Sequence, residues 1–241
     1  MSFKAQFGDS GIYHIINRAI EGQKLFRETS DYFRFITTLY ELNNKNSIKI
    51  RDRIAERKIN KRKGLPLSNP RELLVEIIAL CLMPTHYHLV VRQIVDGGIS
   101  QFFKKIGDGY VGYFNKKYQR IGRGSIFQGR PKKVCIKNEK QFANVICYVF
   151  TNPVELVEED WKESGAKNSQ KAIDYLNSYK WSSYLDCIGQ RNFPSVTKME
   201  PIFEIFGDAK NLKKIIESWI LYKTEFKNTW GKNKDLFLAL E

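Results

Sequence analysis

The segment LMPTHYHLVV, residues 82–91, contains two of the three histidines in a chain of 241 residues. In an extended strand, residues i and i+2 face the same side. His86 and His88 would then present two imidazoles together, a bidentate grip for a divalent metal. The same spacing also suits two half-buried histidines bonded to their neighbours. Further along, Tyr148 and Asn152 lie four residues apart and share one face of an expected helix. Phe142, Val145, Ile146 and Val149 form its apolar face. Tyr148 taken alone could be an ordinary packing residue. Pro153 disfavours helical geometry at Asn152 and is expected to end the helix there. Taken together, a phenol, two imidazoles and an amide oxygen make chemical sense as a unit that cuts a phosphodiester through tyrosine. The phenolate attacks phosphorus, and a cation on the non-bridging oxygens leaves coordination positions open to the phosphate.

These groups need a strand and a helix to carry them. GIYHIINRA (11–19) alternates loosely and reads as a strand. Residues 29–45 follow as an amphipathic helix, with Thr29 or Ser30 as N-cap candidate. Residues 49–70 are very basic and read as an insertion, partly helical and then a loop. ELLVEIIALCLM (72–83) and HYHLVVRQI (86–94) are strands joined at Pro84-Thr85 as a hairpin. Residues 97–119 form a helix despite their glycines, 131–138 a strand, and 138–153 the helix of Tyr148, with Asn138 as cap candidate. The first six elements give an α+β fold, a ferredoxin-like βαββαβ antiparallel sheet, with the Tyr148 helix added. Residues 177–189 read as a loop with packed aromatics. Residues 200–226 read as two short helices separated by Gly207-Asp208, and about 227–241 as loosely held. The division expected is a domain over 1–160, with its basic insertion at about 46–70, and a helical C-terminal appendage over 161–241.

The net charge is +14, which suggests a polyanionic partner, most simply nucleic acid. Residues 1–153 carry 27 Lys/Arg against 12 Asp/Glu, whereas the remainder is nearly balanced. No apolar run reaches the roughly 20 residues of a membrane span, and no signal-peptide core is present at the N-terminus. Cys81, Cys135, Cys147 and Cys187 are far apart, as expected of free thiols in a reducing cytoplasm. From Lys116 to Lys137 there are eight Lys/Arg and no acid, with Tyr118, Phe127 and Gln128 interleaved. Cations for phosphates, aromatics for bases and an amide for a base edge suit a single strand. The candidate contacts are Lys116, Lys117, Arg120, Arg123, Phe127, Gln128, Arg130, Lys132 and Lys133, with Arg18 and His14 placed to approach the site. Residues 51–63, with seven Lys/Arg and two acids, could grip a hairpin stem. The segment 180–184 could cap a DNA groove or simply pack.

The combination resembles the REP-associated tyrosine transposases, a branch of the HUH single-tyrosine transposases. It rests on YHIINRA (13–19), ALCLMPTHYHLVV (79–91), GYFNKKYQRIGRGSIFQGRPKKV (112–134), YVFTNPVEL (148–156), WSSY (181–184) and PIFEIFGD (201–208), in that order. The resemblance implies His86 and His88 as metal ligands, Asn152 as third ligand and Tyr148 as nucleophile, with Mg²⁺ or Mn²⁺ as cofactor. It implies an endonuclease and strand transferase on single-stranded or hairpin DNA, such as palindromic repeats, with a 5′-phosphotyrosine intermediate. A non-catalytic binder of structured DNA or RNA on the same fold is the other reading, and whether the chain acts as a monomer or homodimer stays open.

Overall fold

The computed structural model describes residues 11–64, 71–120 and 122–230. Four strands form one sheet: β1 (Ile12–Arg18), β2 (Val75–Met83), β3 (His86–Gln93) and β4 (Lys132–Cys135). Their order is β2-β3-β1-β4, and all neighbours are antiparallel. The chain is therefore α+β, with the strand order of the ferredoxin-like arrangement. The helices of the first half are α1 (Thr29–Leu42), α2 (Ile50–Lys63) and α3 (Gly98–Lys117). Then come α4 (Glu139–Thr151), α5 (Trp161–Ser164), α6 (Ser169–Leu176), α7 (Tyr184–Cys187), α8 (Glu200–Phe206) and α9 (Ala209–Trp230). No described helix is long and apolar enough to cross a membrane.

The sheet is buried on both faces. Ile15, Leu80, Leu82, Tyr87, Leu89 and Val91 pack beneath α1 and α3. Ala79, Cys81, Met83 and Val90 pack beneath α4 and the C-terminal helices. This explains why β2 reads as a continuous apolar run rather than an alternating one. A register shift between Ile77 and Ala79 puts two consecutive residues, Ile78 and Ala79, on the same face. The glycines of α3 are tolerated for a packing reason. A Cβ on Gly109 would come within 2.6 Å of Leu42 Cδ1, so the gap lets α1 and α3 approach closely. A Cβ on Gly98 would sit 2.4 Å from the Leu74 carbonyl oxygen.

Several local expectations change. The N-cap of α1 is Glu28, not Thr29 or Ser30, and Asp31 reaches back in a capping box. Asn138 does cap α4, accepting from the Gln141 amide at 2.8 Å. Asn152 keeps helical angles (φ −51°, ψ −41°). The chain does not stop before Pro153 but tightens into a 3-10 turn over Asn152–Leu156, in whose first turn a missing N–H leaves no bond unmade. Residues 181–183 are not a free loop. Leu82 N donates to Trp181 O (2.8 Å) and Ser183 N to Leu80 O (3.0 Å), which covers the outer edge of β2. After α8 and Gly207 (φ +85°) comes one long helix, not a second short one. Residues 65–70 of the basic insertion and 231–241 of the tail lie outside the described residues.

Candidate functional site

β3 begins at His86, and β1 runs beside it with Arg18 opposite His86 and Ile16 opposite His88. Side chains across an antiparallel pair share a face, so His14, Arg18, His86 and His88 all point toward α4. His88 and His14 are wholly buried, and His14 Nε2 lies 3.0 Å from His88 Nδ1. Their ring planes lie 14° apart with centroids separated by 5.2 Å, the arrangement of two imidazoles bonded edge to edge through that contact. His86 is less enclosed and shares a hydrogen bond with Thr85 Oγ1 through Nδ1 (3.1 Å). The two motif rings sit 5.0 Å apart, centroid to centroid.

The opposite wall is α4. Every residue from Val145 to Thr151 is buried, because α4 is sandwiched between the sheet and the C-terminal helices. Tyr148 meets both buried imidazoles edge-on, at 5.4 Å from His88 and 5.9 Å from His14. One turn later, Asn152 is fully buried; its Nδ2 donates weakly to Tyr148 O (3.4 Å), and no hydrogen-bond partner reaches its Oδ1. The Nε2 of His88 and the Nδ1 of His14 are likewise buried without a partner. Buried polar atoms normally find partners, and those that do not call for an explanation.

Electrostatics sharpen the arrangement. Burial pushes His14 and His86 down to about 4, with the Arg18 and Lys162 charges adding to the effect at His86 and Glu155 and Asn152 opposing it. Burial, then the neighbouring imidazoles and the same two cations, holds His88 well below the ordinary range. At neutral pH all three rings are therefore uncharged, the form that can donate a lone pair to a cation. Among the described residues no three His, Cys, Asp or Glu side chains are grouped to hold a metal. The available donor set is instead two imidazoles and the Asn152 amide oxygen.

Lys162, in α5, was not legible in the sequence. Its Nζ sits 5.2 Å from the centre of the Tyr148 ring and is held by Glu155 Oε2 at 2.6 Å. Nothing in its local sequence separates it from an ordinary solvated lysine. The 3-10 turn after α4 brings it back over the tyrosine.

The basic residues divide between locations. Arg18 is exposed at the end of β1, and its carbonyl accepts from the amide of exposed Gln128 (2.9 Å). Lys132 pairs with Ile16 and so projects from the histidine face. Lys116, Arg123 and Arg130 are exposed. Phe127 is not offered to a base: bridged to Ala19, it turns into the opposite core against Tyr87, 6% exposed. Lys117 is bound to Asp31 (2.6 Å) and Glu28. Arg120 is bonded to Asn115 (2.7 Å), and Lys133 lies over Tyr13 on the other face. In the segment 180–184, Ser182 and Ser183 are buried and Trp181 stacks on Tyr32 at 4.4 Å, so this part packs. Helix α2 is anchored through Arg53 and Arg57 to buried Glu41. The end of α1 is tied by Asn43 to Leu74 and Val75, placing α2 at the end of the sheet away from His86. The length of β3 separates the two, on the order of 20 Å.

No family model matches the chain. A curated protein of Haemophilus influenzae, named "Putative REP-associated tyrosine transposase", is 27% identical over 113 residues, covering 42% of this chain and 64% of the relative. The chain thus spans a little under two thirds of the curated relative it matches. The solved structure of a REP-associated tyrosine transposase bound to a REP hairpin aligns with TM-score 0.42 and 13% identity, over 80% of this chain and 90% of that one. The ordered motifs and the curated relative point the same way: in sequence, this chain is similar to the REP-associated tyrosine transposases.

Proposed function

We propose that the chain is a metal-dependent DNA endonuclease and strand transferase of the HUH single-tyrosine type, acting on single-stranded or hairpin DNA such as palindromic repeats. The observation that carries this reading is the placement of Tyr148 against the buried His88–His14 pair with a lysine ammonium over its ring. Tyr148 is the nucleophile. Its oxygen bonds to phosphorus, the bond from phosphorus to the 3′ oxygen breaks, and the proton lost by the phenol is balanced by one gained at the 3′ oxygen. The strand is left with a 5′-phosphotyrosine and a free 3′-OH, and attack by another 3′-OH reverses the step and joins strands.

His86, His88 and Asn152 fit Mg²⁺ or Mn²⁺, because two uncharged imidazoles share one face of the sheet and the amide group beside His86 has a buried oxygen without a partner. When bound, the ion would polarise the phosphate oxygens and ease departure of the 3′ oxygen. Lys162 supplies positive charge beside the attacking phenolate, and Glu155 holds it there. Arg18 and Lys132 receive the phosphates flanking the cut, and Gln128 is free to meet a base edge.

The test uses a hairpin oligonucleotide with a single-stranded flank, labelled on the 3′ fragment, and Mg²⁺. A denaturant-resistant protein–DNA band is expected, lost with EDTA and with His86→Ala or His88→Ala. Linkage to the 5′ fragment would reverse the polarity. Cutting without any linked band would make water the nucleophile, and tight binding without cutting would favour the non-catalytic binder.

A further inference from the structure

The motif histidines account for two imidazoles, yet the site holds three. His14, on β1, reaches the Nδ1 side of His88 with its Nε2 at 3.0 Å, and neither residue is accessible to solvent. Two uncharged imidazoles sharing one N–H can do so in only two ways. Either His88 Nδ1–H donates to His14 Nε2, or His14 Nε2–H donates to His88 Nδ1. In the first, His88 Nε2 is a bare lone pair facing the site, and the N–H left without a partner is at His14 Nδ1. In the second, His88 Nε2 carries a buried, unpartnered N–H and cannot bind a cation. The two atoms found without partners, His88 Nε2 and His14 Nδ1, are the pair whose roles exchange between these states. Each state therefore leaves one buried donor unsatisfied, and neither is strongly preferred while His88 Nε2 faces no cation.

We infer that His14 is a positioning residue: it accepts the His88 Nδ1–H and thereby fixes the tautomer and ring orientation that make His88 Nε2 a metal ligand. The inference rests on the metal reading given above. A ligating histidine that donates its other N–H to an acceptor is held in orientation and made more basic, and loss of such an acceptor weakens metal binding about 10- to 100-fold. The near-coplanar rings, 14° between planes, suit an in-plane hydrogen bond, which holds the His88 ring in one orientation. An imidazole acceptor adds no negative charge to the site, whereas a carboxylate in its place would.

The experiment measures Mn²⁺ affinity of the full chain by electron paramagnetic resonance, with cleavage followed in parallel and folding checked by circular dichroism. His14→Gln can place an amide oxygen near the position of Nε2 and should retain affinity within a few-fold. His14→Leu fills similar space without an acceptor. It should bind Mn²⁺ about 10- to 100-fold more weakly and recover cleavage at high Mn²⁺. Equal affinity of all three proteins, or equal loss in both variants, overturns the inference. If wild type itself binds no Mn²⁺, the metal reading falls as well, a result distinct from wild type and His14→Leu binding alike. Should His14→Leu fail to fold, ring ¹⁵N spectra of Mg²⁺-loaded wild type decide: His88 must be protonated at Nδ1 and bare at Nε2, and a proton on Nε2 overturns the inference.

Discussion

The two faces of β3 are built from alternate residues of one strand and obey different rules. Tyr87, Leu89 and Val91 face α1 and α3 in a core of apolar and aromatic groups. His86 and His88 face α4, where burial leaves imidazole and amide atoms without partners. The first face gains stability from area removed from water; the second gives some up by holding polar groups dry. The difference teaches that burial alone does not separate core from site in this sheet. What separates them is whether the buried polar atoms are satisfied.

The sharpest way to test that contrast is to truncate one side chain on each side of the sheet. Tyr148→Phe should lower cleavage at least about a thousandfold while leaving the melting temperature and DNA affinity nearly unchanged, since the ring still packs. Leu89→Ala, on the other face, should destabilise the fold by about 3 kcal/mol, read by denaturant unfolding, and affect cleavage only through the fraction folded. Acidification separates the faces next. The folded-state values of His14 and His86 lie near 4, below those of the unfolded chain, so the unfolded state takes up protons first. Stability is fully present above about pH 6.5 and is lost as pH falls toward 4. The expected loss between pH 7 and 5 is about 2 kcal/mol per buried histidine. Replacing His14 by Gln should flatten that dependence, whereas no change of slope would mean the histidines are not buried uncharged. The smallest effect belongs to Tyr87→Phe. The Tyr87 hydroxyl lies beside Asn17, so its loss should cost about 1 kcal/mol and leave single-turnover cleavage intact. On the DNA side, Arg18→Gln should reduce the slope of log affinity against log salt by about one, whereas Lys117→Gln, with its ammonium committed to Asp31, should leave that slope alone.

The sheet, its hairpin and the Tyr148 helix were legible because their apolar periodicities are strong and their breaks carry Pro or a capping Asn. That His86 and His88 share one face, and Tyr148 and Asn152 another, was legible because i, i+2 on a strand and i, i+4 on a helix fix a shared face; that α4 lays Tyr148 against the histidines is set by tertiary packing. Lys162 was not legible, since the turn that returns it to Tyr148 has no local signature. His14 was visible as a residue on the first strand, but its partner depends on strand register. Phe127 was misjudged for the same reason. In a basic, glycine-rich loop an aromatic looks available, but here that loop continues the pairing of β1 and turns the ring inward. The N-cap of α1 is Glu28 because the acceptor is set by where the chain enters the helix, and the hydroxyl residues Thr29 and Ser30 already lie in its first turn.

The strip of chain at residues 181–183 has one more effect. A sheet with two free margins invites strands from another copy to continue it. In this sheet the β2 margin is occupied by the chain's own Trp181–Ser183 backbone. The β4 margin is only four residues long and carries Lys132 and Lys133, a length and charge that discourage strand addition. The molecule is thereby guarded against edge-to-edge polymerisation at both margins, at one by occupancy and at the other by repulsion.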